Sequence, residues 1–218
     1  MTEAFKISEE LFLLRHPFYR AWMEGMLSRP NLRDYAGQYY VHVAAFPDYL
    51  QKVLNVCSNK DAKAILKDNL AEEDGSKFGI SHPELWLRFA EGTGISREEV
   101  KAAKPRQAIR NVVETFCTLS QSSYAEALGA IYAYESQVPE IAQSKIEGLK
   151  RHFAIADERS LAFFEVHKAA DVEHRESLLA LIEALPAKQK AEARNAADRA
   201  CGVLWEFLDD VYAQSACS

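Results

Sequence analysis

The segment His167-x3-Asp171-x2-His174 carries the residue types of a metal site. On an α-helix each residue turns about 100°, which puts Asp171 about 40° and His174 about 20° from His167, so all three share one stripe. Glu165 and Glu173 fall on the other side and read as solvated charges. Two imidazoles and a carboxylate on one stripe suit a divalent transition metal, and they equally fit a polar helix face with two surface histidines. Glu135 closes the apolar run Ala130-Ile131-Tyr132-Ala133-Tyr134, so its carboxylate is expected to be buried. A buried carboxylate needs a cation or hydrogen-bond donors, which a metal or a lysine would supply. Glu72-Glu73-Asp74 closes a helical segment at the negative end of its dipole, with His82 following. A bound cation would relieve that cluster; an ordinary exposed acidic loop is the other reading.

Together these residues are three histidines and at least three carboxylates on three helices and a loop, enough for two metals in a bundle core. A ferritin-type site uses a Glu-x2-His on each of two helices, whereas only Asp171-x2-His174 in this set pairs a carboxylate with a histidine at that spacing. His16, His42 and His152 lack matching spacing and read as structural.

The elements that must hold these residues are helices. The chain has 218 residues, 48% hydrophobic and 27% charged, which predicts one all-α domain over residues 1–218, a bundle of about seven helices. Nine glycines and seven prolines are too few for an all-β sandwich. Ser8 is the expected cap of a first helix reaching about Leu27 and interrupted at His16-Pro17. Asn31 is the expected cap of a second, Leu32 to about Cys57, kinked at Pro47. Lys60 to Asp74 reads as a third and Gly75 to Ser81 as a loop. Pro83 begins a fourth that stops at Gly92 to Gly94. Ser96 caps a short turn, and Pro105 opens a helix to about Ser120. Ser123 to Glu135, a continuation past Pro139 to Phe153, a long helix from Asp157 to Ala184 and a last one from Ala187 to about Tyr212 complete the chain.

Charge and composition narrow the partners. A net charge of -6 argues against nucleic acid, which demands concentrated positive charge. The most apolar stretch, Leu128 to Tyr134, is too short to span a membrane. The first residues lack a basic segment followed by an apolar one, and Cys57, Cys117, Cys201 and Cys217 have neither metal nor redox spacing, so a cytoplasmic protein with reduced thiols is expected.

Leu70-Ala71-Glu72-Glu73-Asp74-Gly75, His82-Pro83-Glu84-Leu85-Trp86, Tyr132-Ala133-Tyr134-Glu135-Ser136-Gln137-Val138-Pro139 and the His167–Asp171–His174 stripe resemble the haem-oxygenase-like dimetal oxidases. Within them the likeness is to the p-aminobenzoate-forming group related to the chlamydial protein associating with death domains. It runs from His16-Pro17-Phe18-Tyr19 to the last helix. The resemblance implies that Glu72, His82, Glu135, His167, Asp171 and His174 hold two divalent metal ions, Fe/Fe or Fe/Mn, with dioxygen as oxidant. The loop before His82 is slightly longer than in the chlamydial relatives, so Glu73 competes with Glu72, which is preferred as the first of the paired acids.

The resemblance also implies a self-sacrificing synthesis of p-aminobenzoate for folate. Tyr19 matches the tyrosine that supplies the ring, and Lys145 the lysine that supplies the amino group. Tyr35 and Tyr134 match further tyrosines that relay electrons or position the ring, and Phe163 stands where another tyrosine is expected. A homodimer and an external reductant are implied as well. The competing readings are a dimetal oxidase acting on an external small molecule, a metal-free member of the fold such as the oxidase of pyrroloquinoline quinone synthesis or a thiaminase-like hydrolase, and a helical interaction protein.

Overall fold

The computed structural model describes residues 5–215, apart from the side chains of residues 169–172 and 215. Among the described residues all regular structure is helical. Two single 3-10 turns, Glu9–Leu11 and Leu13–Arg15, precede α1 (Pro17–Glu24), α2 (Arg29–Val56), α3 (Lys60–Glu73), α4 (His82–Thr93) and α5 (Arg97–Ala102). Then follow α6 (Gln107–Ser120), α7 (Tyr124–Glu135), α8 (Val138–His152), α9 (Glu158–Glu183) and α10 (Ala187–Ser215). The excess over the expected seven lies in the short α1 and α5 and in α8 being separate from α7.

Three boundaries differ from the sequence reading, each for a local reason. Ser8 caps nothing: its N–H and hydroxyl donate to the Asp198 carboxylate at 3.0 and 2.8 Å, tying the N-terminal segment to α10. The first α-helix therefore starts at Pro17, where His16 Nδ1 accepts the Phe18 N–H at 3.0 Å. The second begins at Arg29 because Ser28, not Asn31, is its cap. Asn31 supplies the other half of a capping box, its side-chain oxygen accepting the Ser28 N–H at 2.7 Å. Between α7 and α8 the helix breaks at Ser136–Gln137, and Pro139 sits in the first turn of α8, where its missing N–H costs nothing.

The core is organised around α7, buried on every side from Ala127 to Glu135. Such a helix tolerates no polar face, so Glu135 at its end is enclosed with the rest. The helix packs chiefly on α10, whose buried stripe Ala193, Ala196, Ala197, Ala200, Leu204, Phe207 and Val211 is small where the two helices are closest. Gly129 makes that approach possible: a Cβ there would stand 2.1 Å from the Ala193 carbonyl oxygen. Gly202, on α10, has open space around it.

These two glycines predict opposite outcomes. Gly129→Ala should destabilise by about 1–3 kcal/mol through overpacking against backbone. Gly202→Ala should stabilise by roughly 0.5–1 kcal/mol through helix propensity alone. Denaturant unfolding of both variants is the check, and a stabilised Gly129→Ala would contradict the packing described.

Candidate metal centre

The buried stripe of α3 runs Ala62, Leu66, Asn69, Glu73, at steps of four, three and four residues. It starts as ordinary core and ends in polar groups facing the bundle interior. Glu73 is only 4% exposed, and its Oε2 lies 2.8 Å from His82 Nδ1. His82 opens α4, brought back against α3 by a loop that turns at Gly75 (φ +82°), where a Cβ would strike the Ser81 amide nitrogen. His167, from α9, donates through Nδ1 to the Phe163 carbonyl at 2.6 Å, which leaves the Nε2 lone pair facing Glu73 Oε1 at 3.8 Å. One ligand atom from each of Glu73, His82 and His167 lies within 4.8 Å of the others. Burial pulls the Glu73 carboxyl upward, but the adjacent His82, then His167 and His174, outweigh it and hold it below the ordinary carboxylate range.

A second group of donors adjoins the first. His174 Nε2 lies 3.7 Å from Glu72 Oε1, and its Nδ1 lies 3.9 Å from Glu135 Oε2. Asn69 donates to Glu135 Oε1 at 2.8 Å and so fixes that carboxylate. Glu72 is also paired with Lys77 at 2.8 Å. The structure thus brings both Glu72 and Glu73 to imidazoles, Glu73 deeper and against two of them. Asp171 lies on α9, with its side chain outside the described residues.

Three buried carboxylates and three histidines in one pocket of the fold fit a pair of divalent cations. Lys77 pairs with Glu72 and Asp68, Asn69 donates to Glu135, and Glu73 is buried against His82 and His167. Mixed imidazole and carboxylate donors are the ligand chemistry of iron and manganese.

Beside this cluster is an aromatic chamber. Lys145, on α8, is 3% exposed, and its Nζ lies 4.4 Å from the Tyr35 ring centroid and within 5.9 Å of those of Tyr19, Trp22, Tyr39, Trp86 and Phe164. It is hydrogen-bonded to the Tyr35 hydroxyl. Among the described residues no carboxylate pairs with it. Burial brings its pKa down to about 7, so much of the amine is neutral at neutral pH. Tyr19 comes from α1, which docks on α8 where Gly148 leaves room for Trp22 and the Trp22 indole donates to the Lys145 carbonyl at 3.3 Å. Burial raises the Tyr19 phenol well above its ordinary range. Tyr19 interacts electrostatically with Tyr35 and Tyr39, and Tyr39 with Tyr134. A cavity of about 20 Å³, room for one water, is lined by Tyr19, Tyr39, Tyr134, Lys145, Phe163 and His167 among others.

Sequence reasoning passed over Asn69, Tyr39 and the aromatic box around Lys145. The α3 stripe was available as a signal for Asn69 and for Glu73 over Glu72, because Glu73 continues the Ala62–Leu66–Asn69 spacing. Tyr39 lies one helical turn beyond Tyr35, and their rings stack at 5.4 Å.

Residues 33–205 match the model of a family described as iron-containing redox enzymes. The chain is 36% identical to the 4-aminobenzoate synthase of Chlamydia muridarum, over 97% of this chain and 89% of that one. It is 40% identical to the 4-aminobenzoate synthase of Nitrosomonas europaea, over 94% and 88% respectively. A pyrroloquinoline-quinone synthase of Gluconobacter oxydans is more distant, at 24% identity over 94% of this chain and 87% of that protein. A crystal structure from Shewanella denitrificans with a heme oxygenase-like fold superposes with a TM-score of 0.79 at 17% identity, covering 94% of this chain and 87% of that one. No described helix is long and apolar enough to cross a membrane.

Two outcomes follow from the geometry. Glu73→Ala should weaken Mn(II) binding at least about tenfold and Glu72→Ala less, because Lys77 already neutralises Glu72. Titration of metal-free protein, followed by the signal of unbound Mn(II), tests the order, and the reverse order would contradict it. Lys145→Met removes a buried base whose folded pKa, about 7, lies below its unfolded value near 10.5. The unfolded chain then binds more protons between those values, so wild-type stability rises with pH across that window. The variant should be more stable than wild type at pH 7, with the gap narrowing toward pH 10 in denaturant unfolding. A constant gap would contradict the buried neutral amine.

Proposed function

The chain belongs to the iron-containing redox enzymes, and from that premise we propose that it makes 4-aminobenzoate from its own residues, with Tyr19 as ring source and Lys145 as nitrogen donor. The observation that carries this reading is the shared cavity: Tyr19, Lys145 and His167 line one space of about 20 Å³, too small for a separate aromatic substrate. The relatives named 4-aminobenzoate synthase support the product.

Two metal ions, Fe/Fe or Fe/Mn, would be held by Glu73, His82 and His167 with Glu72, Glu135, Asp171 and His174, and when bound they supply oxidising power from dioxygen, with an external reductant. The protein's own groups do the rest. A tyrosine side chain is a ring with a para oxygen and one further carbon, Cβ. Breaking Cα–Cβ, oxidising Cβ to a carboxylate, replacing the ring oxygen, lost as water, by Lys145 Nζ, and oxidising Nζ–Cε to an imine that water hydrolyses to a side-chain aldehyde yields the product, with dioxygen as the oxidant throughout. The box of six rings buries Lys145 and keeps a substantial share of its amine unprotonated at neutral pH, the form that can attack a ring carbon. Trp22 and Gly148 seat α1 on α8 so that the Tyr19 ring stays within 5.6 Å of Nζ. Tyr35 and Tyr134 position the phenols on either side of Tyr39.

Protein carrying label only in its tyrosine rings, loaded with iron and exposed to oxygen, should release labelled 4-aminobenzoate in a single turnover and lose the matching mass from the Tyr19 peptide. Tyr19→Phe should bind metal normally and give no product. Many turnovers per chain, or full product from Tyr19→Phe, would point instead to an external substrate.

A further inference from the structure

A surface pocket of about 250 Å³ adjoins the chamber that holds Tyr19 and Lys145. Two segments of the chain line both spaces. From the N-terminal strap, Leu13 faces the inner cavity, while Phe12 and Leu14 face the pocket. From the junction of α7 and α8, Val138 and Ile141 face the cavity, while Ser136, Gln137 and Glu140 face the pocket. One layer of residues therefore forms the wall, and Gln137 pins it: its side-chain oxygen accepts the Leu13 N–H at 2.8 Å. The make-up of the pocket suits an aromatic acid. Phe12 and Leu14 leave apolar surface exposed there. Arg175, from α9, supplies the positive charge, its Nη1 donating to Glu140 Oε1 at 2.8 Å and to the Ser136 carbonyl at 3.4 Å. The Glu140 side chain is 56% exposed, and an ion pair so open to water contributes little, so a ligand carboxylate displaces it at small cost. The volume exceeds the ~150 Å³ in which a protein interior houses a benzene ring.

We propose that this pocket receives the 4-aminobenzoate released from the inner chamber, with the carboxylate on Arg175 and the ring against Phe12 and Leu14. The inference rests on the reading of Tyr19 as ring source. A ring cut from Tyr19 lies in a chamber with room for one further water, so it leaves by crossing a wall. The wall of Leu13, Gln137 and Val138 has on its far side a space of matching size and charge. Arginine grips a carboxylate through two parallel N–H groups, which fixes the acid end and leaves the ring to the apolar side chains.

Equilibrium dialysis of the full-length protein against labelled 4-aminobenzoate tests this without turnover. Wild type should show a single saturable site. Arg175→Gln should weaken binding at least about fivefold, and Glu140→Gln, which removes the competing carboxylate, should tighten it about twofold or more. Phe12→Ala should weaken it at least about threefold, and 4-aminobenzamide, which lacks the negative charge, should bind wild type at least about fivefold more weakly than the acid. Arg175→Lys keeps the charge without the planar fork and should fall between wild type and Arg175→Gln, a second variant should the first fold poorly. No saturable binding, or equal affinity in wild type and both Arg175 variants, would overturn the proposal. Binding lost in Lys145→Met and unchanged in Arg175→Gln would put the ligand in the inner chamber and overturn it too. Binding that follows Arg175 while ring label never passes from Tyr19 to 4-aminobenzoate would overturn only the proposed function, and label transfer without such binding only the pocket.

Discussion

Burying the Glu73 carboxylate is the constraint on which the rest depends. A carboxylate only 4% exposed is costly unless cations or donors surround it. Two other helices bring those groups, His82 at the start of α4 and His167 and His174 a little under two turns apart on α9, while Asn69 of α3 donates to Glu135 at the end of α7. The fold places the end of α3, the start of α4 and the middle of α9 together at the Glu135 end of α7. The close packing of α10 on α7 through Gly129 keeps that central helix dry and so keeps Glu135 enclosed.

Lys145 is the opposite electrostatic problem, solved in the opposite way. The carboxylates sit among imidazoles, but the amine has only ring faces and the Tyr35 hydroxyl around it. An ion pair between the two sets would stabilise both charges and leave the amine protonated and unreactive. Among the described residues no carboxylate pairs with the amine, and burial brings its pKa down to about 7, so part of it is neutral at neutral pH.

The metal side of the site was more legible in sequence than the aromatic side. A stripe at seven-residue spacing on a long helix sends His167 and His174 the same way, and the apolar run before Glu135 marks that carboxylate as buried. Glu73 over Glu72 was legible only through the register of α3, because adjacent acids differ by about 100° around the helix and the buried face must be known first. Tyr19 and Lys145 carry no local signal: one of nine tyrosines and a lysine in an ordinary helix become a pair only when α1 docks on α8. Ser8 and Asn31 show the same limit at helix ends, where Asp198 and Ser28 claim side chains that local preference would assign to caps.

Anomalous diffraction from crystals of iron-loaded protein addresses the central claim most directly. Two scattering peaks are expected, one among Glu73, His82 and His167 and one beside Glu135 and His174, with Lys145 left outside both coordination spheres. A single peak remote from Glu73, or iron bound only at the protein surface, would contradict the assignment of these buried acids and imidazoles to a dimetal centre.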